Sequence, residues 1–243
     1  MECLYRDALD TYSIIIFVGQ PGVGKTTLAL RLVAYALWKN GKCGDKQTDC
    51  LEAAARRLFL GENFKELIEY LISLIDSGMG DYVIVDDAAL GYWDIAHPKA
   101  WSLLMDALKI ARNSIATRAL IFTTTSTRFL SKRVLSMARV YYVKRAQMRN
   151  KFDPVSGCID FEEMEKPRLA IVVKHVTYAL AAPNSPNYTP ASIGVYAKTV
   201  AAVPVDKSYA MPKEIETAHM EARRRRARAS LEEILKILEA KKN

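Results

Sequence analysis

The sequence has few cysteines and few histidines. Its four cysteines, Cys3, Cys43, Cys50 and Cys158, form no CxxC pair, and the three histidines do not accompany them at metal-site spacing. We therefore expect free buried thiols rather than disulfide bonds or a metal centre.

Long apolar runs are also missing. The longest, such as residues 13–18, are far too short to cross a bilayer, and the N-terminus has no basic segment followed by an apolar one. We expect a protein without a membrane partner, in the cytoplasm of a cell. Half of the 243 residues are hydrophobic, which is enough for the core of one large α/β domain.

Acidic residues are absent from two stretches, 107–152 and 166–205. The first stretch contains eleven lysines and arginines, and the whole chain has a formal net charge of +8. A run of one sign across folded elements predicts a positive surface suited to a polyanion such as DNA. The alternative is a solvated face balanced by acidic residues from elsewhere in the chain.

The segment GQPGVGKTT follows the apolar run Ile14–Val18 and matches GxxxxGK[ST], the phosphate-binding loop of nucleotide hydrolases. Gly22 and Gly24 would let backbone N–H groups surround the β-phosphate. Lys25 would bridge the β- and γ-phosphates, and the Thr26 hydroxyl would bind Mg²⁺. The predicted nucleotide-binding residues are Gly19, Gln20, Pro21, Gly22, Val23, Gly24, Lys25, Thr26 and Thr27. A helical pattern from about residue 25 to 40 follows the loop; the alternative is an ordinary glycine turn.

The segment YVIVDD, Tyr82 to Asp87, is typical of a buried parallel strand that ends in two carboxylates. Such strands place their carboxylates at the carboxyl edge of an α/β sheet, which is where ligands bind. Asp86 would hold the Mg²⁺ shell, and Asp87 would orient or deprotonate the attacking water. The alternative is that both carboxylates only cap the next helix.

A third apolar strand, within Arg118 to Ser126, ends in consecutive threonines. Thr124 or Thr125 at its tip would sense the γ-phosphate and the attacking water. The pattern is equally consistent with hydroxyls that only cap the following helix.

The phosphate loop, the paired acids and the polar strand tip together resemble the additional-strand branch of P-loop ATPases. Within that branch the chain is similar to replication initiator and helicase-loader ATPases of the DnaA and DnaC type, and to small ATPases of crenarchaeal viruses and plasmids. The resemblance implies a three-layer α/β/α fold with a mainly parallel sheet ordered 5-1-4-3-2. It also implies ATP and Mg²⁺ at the loop, a homo-oligomer, and an arginine finger that would match Arg139, with Arg112 and Arg133 as weaker matches.

The chain after the fourth strand, Val140–Val143, is predicted in three parts. Residues 144–166 form a polar connection, and residues 168–180 and 192–203 form a hairpin packed on the sheet edge. A basic helix follows from about residue 212. We expect domains of 1–145 for the ATPase core, 146–211 for a β-rich extension and 212–243 for this C-terminal helix.

The C-terminal helix carries an arginine cluster and an apolar stripe. The arginines could neutralise nucleic-acid phosphates, or could remain solvated beside Glu221, Glu232 and Glu233. The stripe could dock on the core or on a partner helix. The cluster comprises Arg223, Arg224, Arg225, Arg226 and Arg228, and the stripe comprises Leu231, Ile234, Leu235 and Leu238.

The sequence therefore predicts an ATP-hydrolysing enzyme that acts on DNA, in replication initiation or helicase loading of a viral or plasmid genome, with a helicase or initiator as partner. The alternatives are a DNA packaging or transfer motor, a small-molecule kinase, and a nucleotide-dependent scaffold that does not catalyse.

Overall fold

Apolar strands alternate with helices along the first part of the chain. The strands form one sheet, and the helices pack on both of its faces. The computed structural model describes residues 1–9, 14–44, 47–61, 63–79, 81–86, 99–104, 119–125, 138–180, 193–205 and 211–240. The helices are α1 (Glu2–Ala8), α2 (Lys25–Lys39), α3 (Gln47–Ala55), α4 (Phe64–Asp76) and α5 (Lys213–Ala240). The strands are β1 (Ile14–Val18), β2 (Leu58–Phe59), β3 (Tyr82–Val85), β4 (Ala119–Thr124), β5 (Arg139–Phe152), β6 (Ile159–Leu180) and β7 (Ile193–Pro204). Residues 99–104 are also helical.

The sheet has the order β2-β3-β4-β1-β5-β6-β7. The first five strands are parallel, and their order is the predicted 5-1-4-3-2 counted from the opposite edge. The strands β6 and β7 then extend the sheet in antiparallel pairing beyond β5. The predicted α/β class with a mainly parallel core is confirmed, on a sheet wider than the five strands that the resemblance implied.

Side chains of β1 alternate between two buried layers. Ile15 and Phe17 pack with α1, α2 and α3 on one face of the sheet, whereas Ile14, Ile16 and Val18 pack with α4 and Trp101 on the other. A strand buried on both faces needs apolar residues at every position, which explains the unbroken run. The molecule is thus a three-layer α/β/α structure with β1 at its centre.

The helix ends follow local sequence rules. Asn63 is the N-cap of α4, and its Oδ1 accepts a hydrogen bond from the Glu66 backbone N–H at 2.9 Å. After the C-cap of α2, Gly41 has a φ of 64°, the left-handed conformation that glycine adopts without strain. The predicted end of the first long helix near residue 40 is confirmed.

The predicted polar connection over residues 144–166 is wrong. These residues lie mostly in β5 and β6, which form one long hairpin with its turn near Asp153 and Gly157. The arms of this hairpin are partly exposed, so their polar composition does not indicate strands. They are held by backbone pairing and by cross-strand contacts such as that of Lys151 with Glu162. The predicted hairpin of residues 168–180 with 192–203 is confirmed as the β6–β7 pair.

The cysteines are paired rather than free. Cys3 is bonded to Cys158 and Cys43 to Cys50, so the expectation of free thiols is wrong. Cys3 and Cys158 are 155 residues apart, and spacing along the chain gives no indication of their contact. They meet because the turn after β5 lies against the N-terminus, where the Cys3 N–H donates to the Ser156 carbonyl. Disulfides persist in oxidising compartments and in intracellular proteins of hyperthermophiles.

Opening the long-range crosslink is expected to cost more stability than opening the short one. Replacing Cys3 and Cys158 together with serine should lower the free energy of unfolding by about 4 kcal/mol, because the crosslink restricts the unfolded chain most when it closes a long loop. The Cys43 and Cys50 pair spans only 7 residues, and its double replacement should cost about 2 kcal/mol. Denaturant unfolding of both double variants measures the difference, and equal losses would contradict the loop-length argument.

Among the described residues, no helix is long and apolar enough to cross a membrane. A cytoplasmic location and the three domain boundaries stay predictions.

Candidate nucleotide site

The loop between β1 and α2 has the backbone that its glycines predict. Gly22 and Gly24 have φ values of 76° and 96°, and Gly24 is the N-cap of α2. Gly19 meets a different constraint, because a Cβ there would lie 2.3 Å from the Val143 carbonyl oxygen of β5. The loop therefore needs glycine twice for its turn and once for close packing against the neighbouring strand.

The Lys25 side chain is held inside this loop. Lys25 is buried, and its Nζ donates to the carbonyl oxygens of Gly19 at 2.8 Å and Gln20 at 3.0 Å. The ammonium group thus lies at the centre of the turn, at the N-terminus of α2, where an anion is favoured by the helix dipole and the orphan N–H groups. This arrangement fits the phosphates of a nucleotide.

The carboxyl edge of the sheet brings Asp86 to Thr26. The Thr26 hydroxyl donates to Asp86 Oδ1, and Thr123 Oγ1 donates to the same oxygen at 2.6 Å. β4 lies between β3 and β1 in the sheet, and all three strands run parallel, so Asp86, Thr26 and Thr123 meet although they come from three parts of the chain. Carboxylate and hydroxyl oxygens are among the ligands that Mg²⁺ prefers. Thr26 and Asp86 would hold this ion, as predicted, and it would neutralise charge on the phosphates.

Asp86 is ionised in this environment. Its burial, at 1% exposed, would by itself raise the pKa of the carboxyl group. Hydrogen bonds from His219, Thr123 and Thr26 outweigh that effect and hold the pKa of Asp86 well below its usual range. The lowered pKa of Asp86 therefore favours the negatively charged carboxylate, the form that a cation requires.

The strand tip brings Thr123, which the sequence did not single out, to Asp86. Thr123 contacts Asp86, whereas Thr125 is exposed and the Thr124 carbonyl accepts a hydrogen bond from the Gly19 N–H at 3.2 Å. Side chains alternate along a strand, so a shift by one residue reverses the face that each threonine occupies. The pairing of Val85 with Phe122 fixes this register and places Thr123 next to Asp86. The roles of Thr124 and Thr125 stay predictions.

Replacing Thr123 with valine is expected to weaken magnesium-dependent nucleotide turnover about tenfold, because the isosteric change removes one hydrogen bond that orients a charged carboxylate. Thr125→Val should have a smaller effect, since the Thr125 side chain is exposed. Steady-state turnover of both variants against magnesium concentration measures this. A larger loss for Thr125→Val would favour the sequence-based choice instead.

The predicted finger Arg139 lies away from this group. It pairs with Ile15 at the beginning of β1, at the amino edge of the sheet, and its guanidinium donates to the Asp7 carbonyl and contacts His175. Within one chain Arg139 does not reach the phosphate loop, and a role toward a neighbouring subunit stays a prediction. Asp87, Arg112 and Arg133 lie outside the described residues.

Two residues of α5 join the site without having been predicted there. His219 Nε2 lies 2.5 Å from Asp86 Oδ2, and Arg223 Nη2 lies 3.6 Å from the same oxygen. His219 is 133 positions from Asp86, and a lone histidine in a charged helix carries no local pattern that would reveal the contact. Arg223 belongs to the arginine cluster for which the sequence suggests nucleic-acid binding.

The phosphate loop, the strand-end carboxylate and the hydroxyl groups beside it, on adjacent parallel strands, define a nucleotide-binding P-loop NTPase. The chain belongs to the family described as Novel STAND NTPase 3, whose model matches residues 4–177. This supports the P-loop part of the resemblance, and the likeness to the DnaA and DnaC type stays a prediction.

No curated protein matches the chain. Among solved structures, a KaiC-like protein from the hyperthermophilic archaeon Pyrococcus horikoshii is similar, with 13% sequence identity and a TM-score of 0.39 over 79% of this chain and 88% of that chain.

Proposed function

We propose that the protein hydrolyses ATP with Mg²⁺ and uses water as the phosphoryl acceptor. The observation that carries this is the meeting of Lys25, Thr26 and the ionised Asp86 at one edge of the sheet. Lys25 would bind the β- and γ-phosphates, and Thr26 and Asp86 would hold the metal. Asp87, next in sequence after the metal-holding carboxylate, would orient the attacking water.

The test is a comparison of ATP, GTP, CTP and UTP as substrates, with magnesium and with excess chelator. ATP should be turned over fastest, and chelation should abolish turnover because the phosphate charge is then not neutralised. Equal turnover of all four nucleotides would contradict ATP specificity. Nucleotide binding without phosphate release would favour the scaffold alternative, and phosphate transfer to an added small molecule would favour the kinase.

We further propose that the ATPase acts on DNA. The supporting observation is the set of exposed arginines on α5, namely Arg224, Arg225 and Arg228. One of them is partly neutralised, because Arg228 Nε lies 2.8 Å from Glu232 Oε1. Removal of exposed arginines should weaken DNA binding and reduce its dependence on salt, since each phosphate contact releases counterions.

We also propose a homo-oligomer, and the exposed apolar stripe of α5 is the observation that supports it. Leu231, Ile234 and Leu235 are 62%, 51% and 57% exposed, so docking of these residues on the core is wrong for the single chain. Hydrolysis measured over a range of protein concentration, with and without single- and double-stranded DNA, tests both proposals. A rate per subunit that rises with concentration and with DNA supports a DNA-acting oligomer, as in helicase loading, replication initiation, packaging or transfer. A rate indifferent to both contradicts it.

A further inference from the structure

The first half of α5 covers the Oδ2 side of Asp86. Ile215, His219, Ala222 and Arg223 are spaced so that they share one helical face. His219 and Ala222 are buried, and Ile215 packs against the core, whereas Met220 and Glu221 on the other side are exposed. The C-terminal helix is therefore packed on the nucleotide site through one face.

The two oxygens of Asp86 have different partners. Oδ1 accepts from the hydroxyls of Thr26 and Thr123. Oδ2 faces α5, with His219 Nε2 at 2.5 Å and Arg223 Nη2 at 3.6 Å. An ionised carboxylate can only accept hydrogen bonds, so His219 Nε2 carries the proton in this contact. The donors that face Oδ2 thus come from a helix that follows the sheet in sequence.

The same carboxylate is the one that would hold the Mg²⁺ shell. A ring nitrogen at hydrogen-bond distance from Oδ2 occupies the space that a metal-bound water would need there. Hydrogen-bond donors on both oxygens already stabilise the negative charge of Asp86 without a metal. Because Oδ1 already accepts from Thr26 and Thr123, a water of the magnesium shell would reach Asp86 at Oδ2, where docked α5 places His219 and Arg223. Metal binding and docking of α5 would therefore compete for Oδ2.

We propose that His219 and Arg223 are positioning residues that hold Asp86 in the nucleotide-free protein, and that Mg²⁺ with a nucleotide displaces them and releases α5. This proposal rests on the proposed magnesium-dependent site. Its consequence is that nucleotide state controls the docking of the helix that carries the arginine cluster and the apolar stripe. The affinity for the metal-bound nucleotide is then set partly by the cost of undocking α5.

The test uses the full chain and a non-hydrolysable ATP analogue, with binding measured by calorimetry in magnesium and in excess chelator. His219→Ala should bind the analogue with magnesium about tenfold more tightly than the unaltered protein, because undocking no longer breaks a charge-assisted hydrogen bond. In chelator the two affinities should agree, since nothing then competes for Asp86. His219→Gln, which keeps a donor, should restore most of the weaker affinity, and Met220→Ala, one position along and exposed, is the matched control.

Hydrogen exchange of the α5 amides gives a second measurement. Exchange in residues 213–223 should become faster on addition of magnesium and the analogue, and should not change with the analogue in chelator. Slower exchange together with weaker binding by His219→Ala would overturn the proposal, because α5 would then be part of the nucleotide-bound site. Equal affinities of His219→Ala and the unaltered protein in magnesium would also overturn it. Absence of analogue binding by either protein would instead overturn the proposed nucleotide site, and the competition with it.

Discussion

Replacing Lys25 with alanine is expected to reduce ATP turnover by about 10³-fold, because this buried side chain would supply the positive charge beside the β- and γ-phosphates. Lys25 is buried and its Nζ is held by the Gly19 and Gln20 carbonyl oxygens. The loop from Gly19 to Thr27 contains no other basic residue that could replace it. Affinity for ATP should fall as well. Phosphate release and calorimetric titration with ATP measure the two effects.

The matched control for this change is Lys65→Ala. The Lys65 side chain is 85% exposed on α4 and pairs with Glu69, one helical turn away. It should leave turnover unchanged, because an exposed pair of this kind contributes little. Turnover and affinity that survive in Lys25→Ala would show that the loop does not bind the phosphates.

The second large effect is expected from Asp86→Asn. The amide has the shape of the carboxylate but lacks the charge that would bind the magnesium shell, so turnover should fall by about 10²-fold to 10³-fold. The remaining activity should need a higher magnesium concentration. Turnover against magnesium concentration separates this result from a general loss of folded protein. Asp76→Asn, at the exposed end of α4, is the control.

The same variant should change the response of stability to acid. The pKa of Asp86 lies below its ordinary value, so the ionised carboxylate stabilises the fold above about pH 4 and loses this contribution as the pH falls through its folded-state pKa. Asp86→Asn removes that dependence, and its unfolding free energy should vary less with pH in the acid range. An identical acid profile for both proteins would contradict the hydrogen-bond account of the low pKa.

The phosphate loop could be predicted from the sequence because its chemistry is local. Gly22 and Gly24 adopt the backbone that only glycine takes easily, and Lys25 and Thr26 follow at fixed spacing. The meeting of Asp86 with Thr26 was also predictable, since parallel strands bring their carboxyl ends to one edge. These inferences need only the neighbours of each residue and the direction of each strand.

Other features depended on register and could not be resolved from the pattern alone. The contact of Thr123 with Asp86, one position before the predicted Thr124 and two before Thr125, follows from the pairing of β3 with β4. The arms of the β5–β6 hairpin are polar on their exposed sides, so hydrophobic periodicity did not reveal them.

The sequence by itself determined the α/β class, the phosphate loop and the strand-end carboxylate, because each arises from short-range backbone preferences and apolar patterning. Only the tertiary structure decided which distant residues meet: Cys3 with Cys158, and His219 and Arg223 with Asp86. Those contacts join parts of the chain separated by more than a hundred residues. They depend on how the added strands and the last helix pack against the core, which no local pattern encodes.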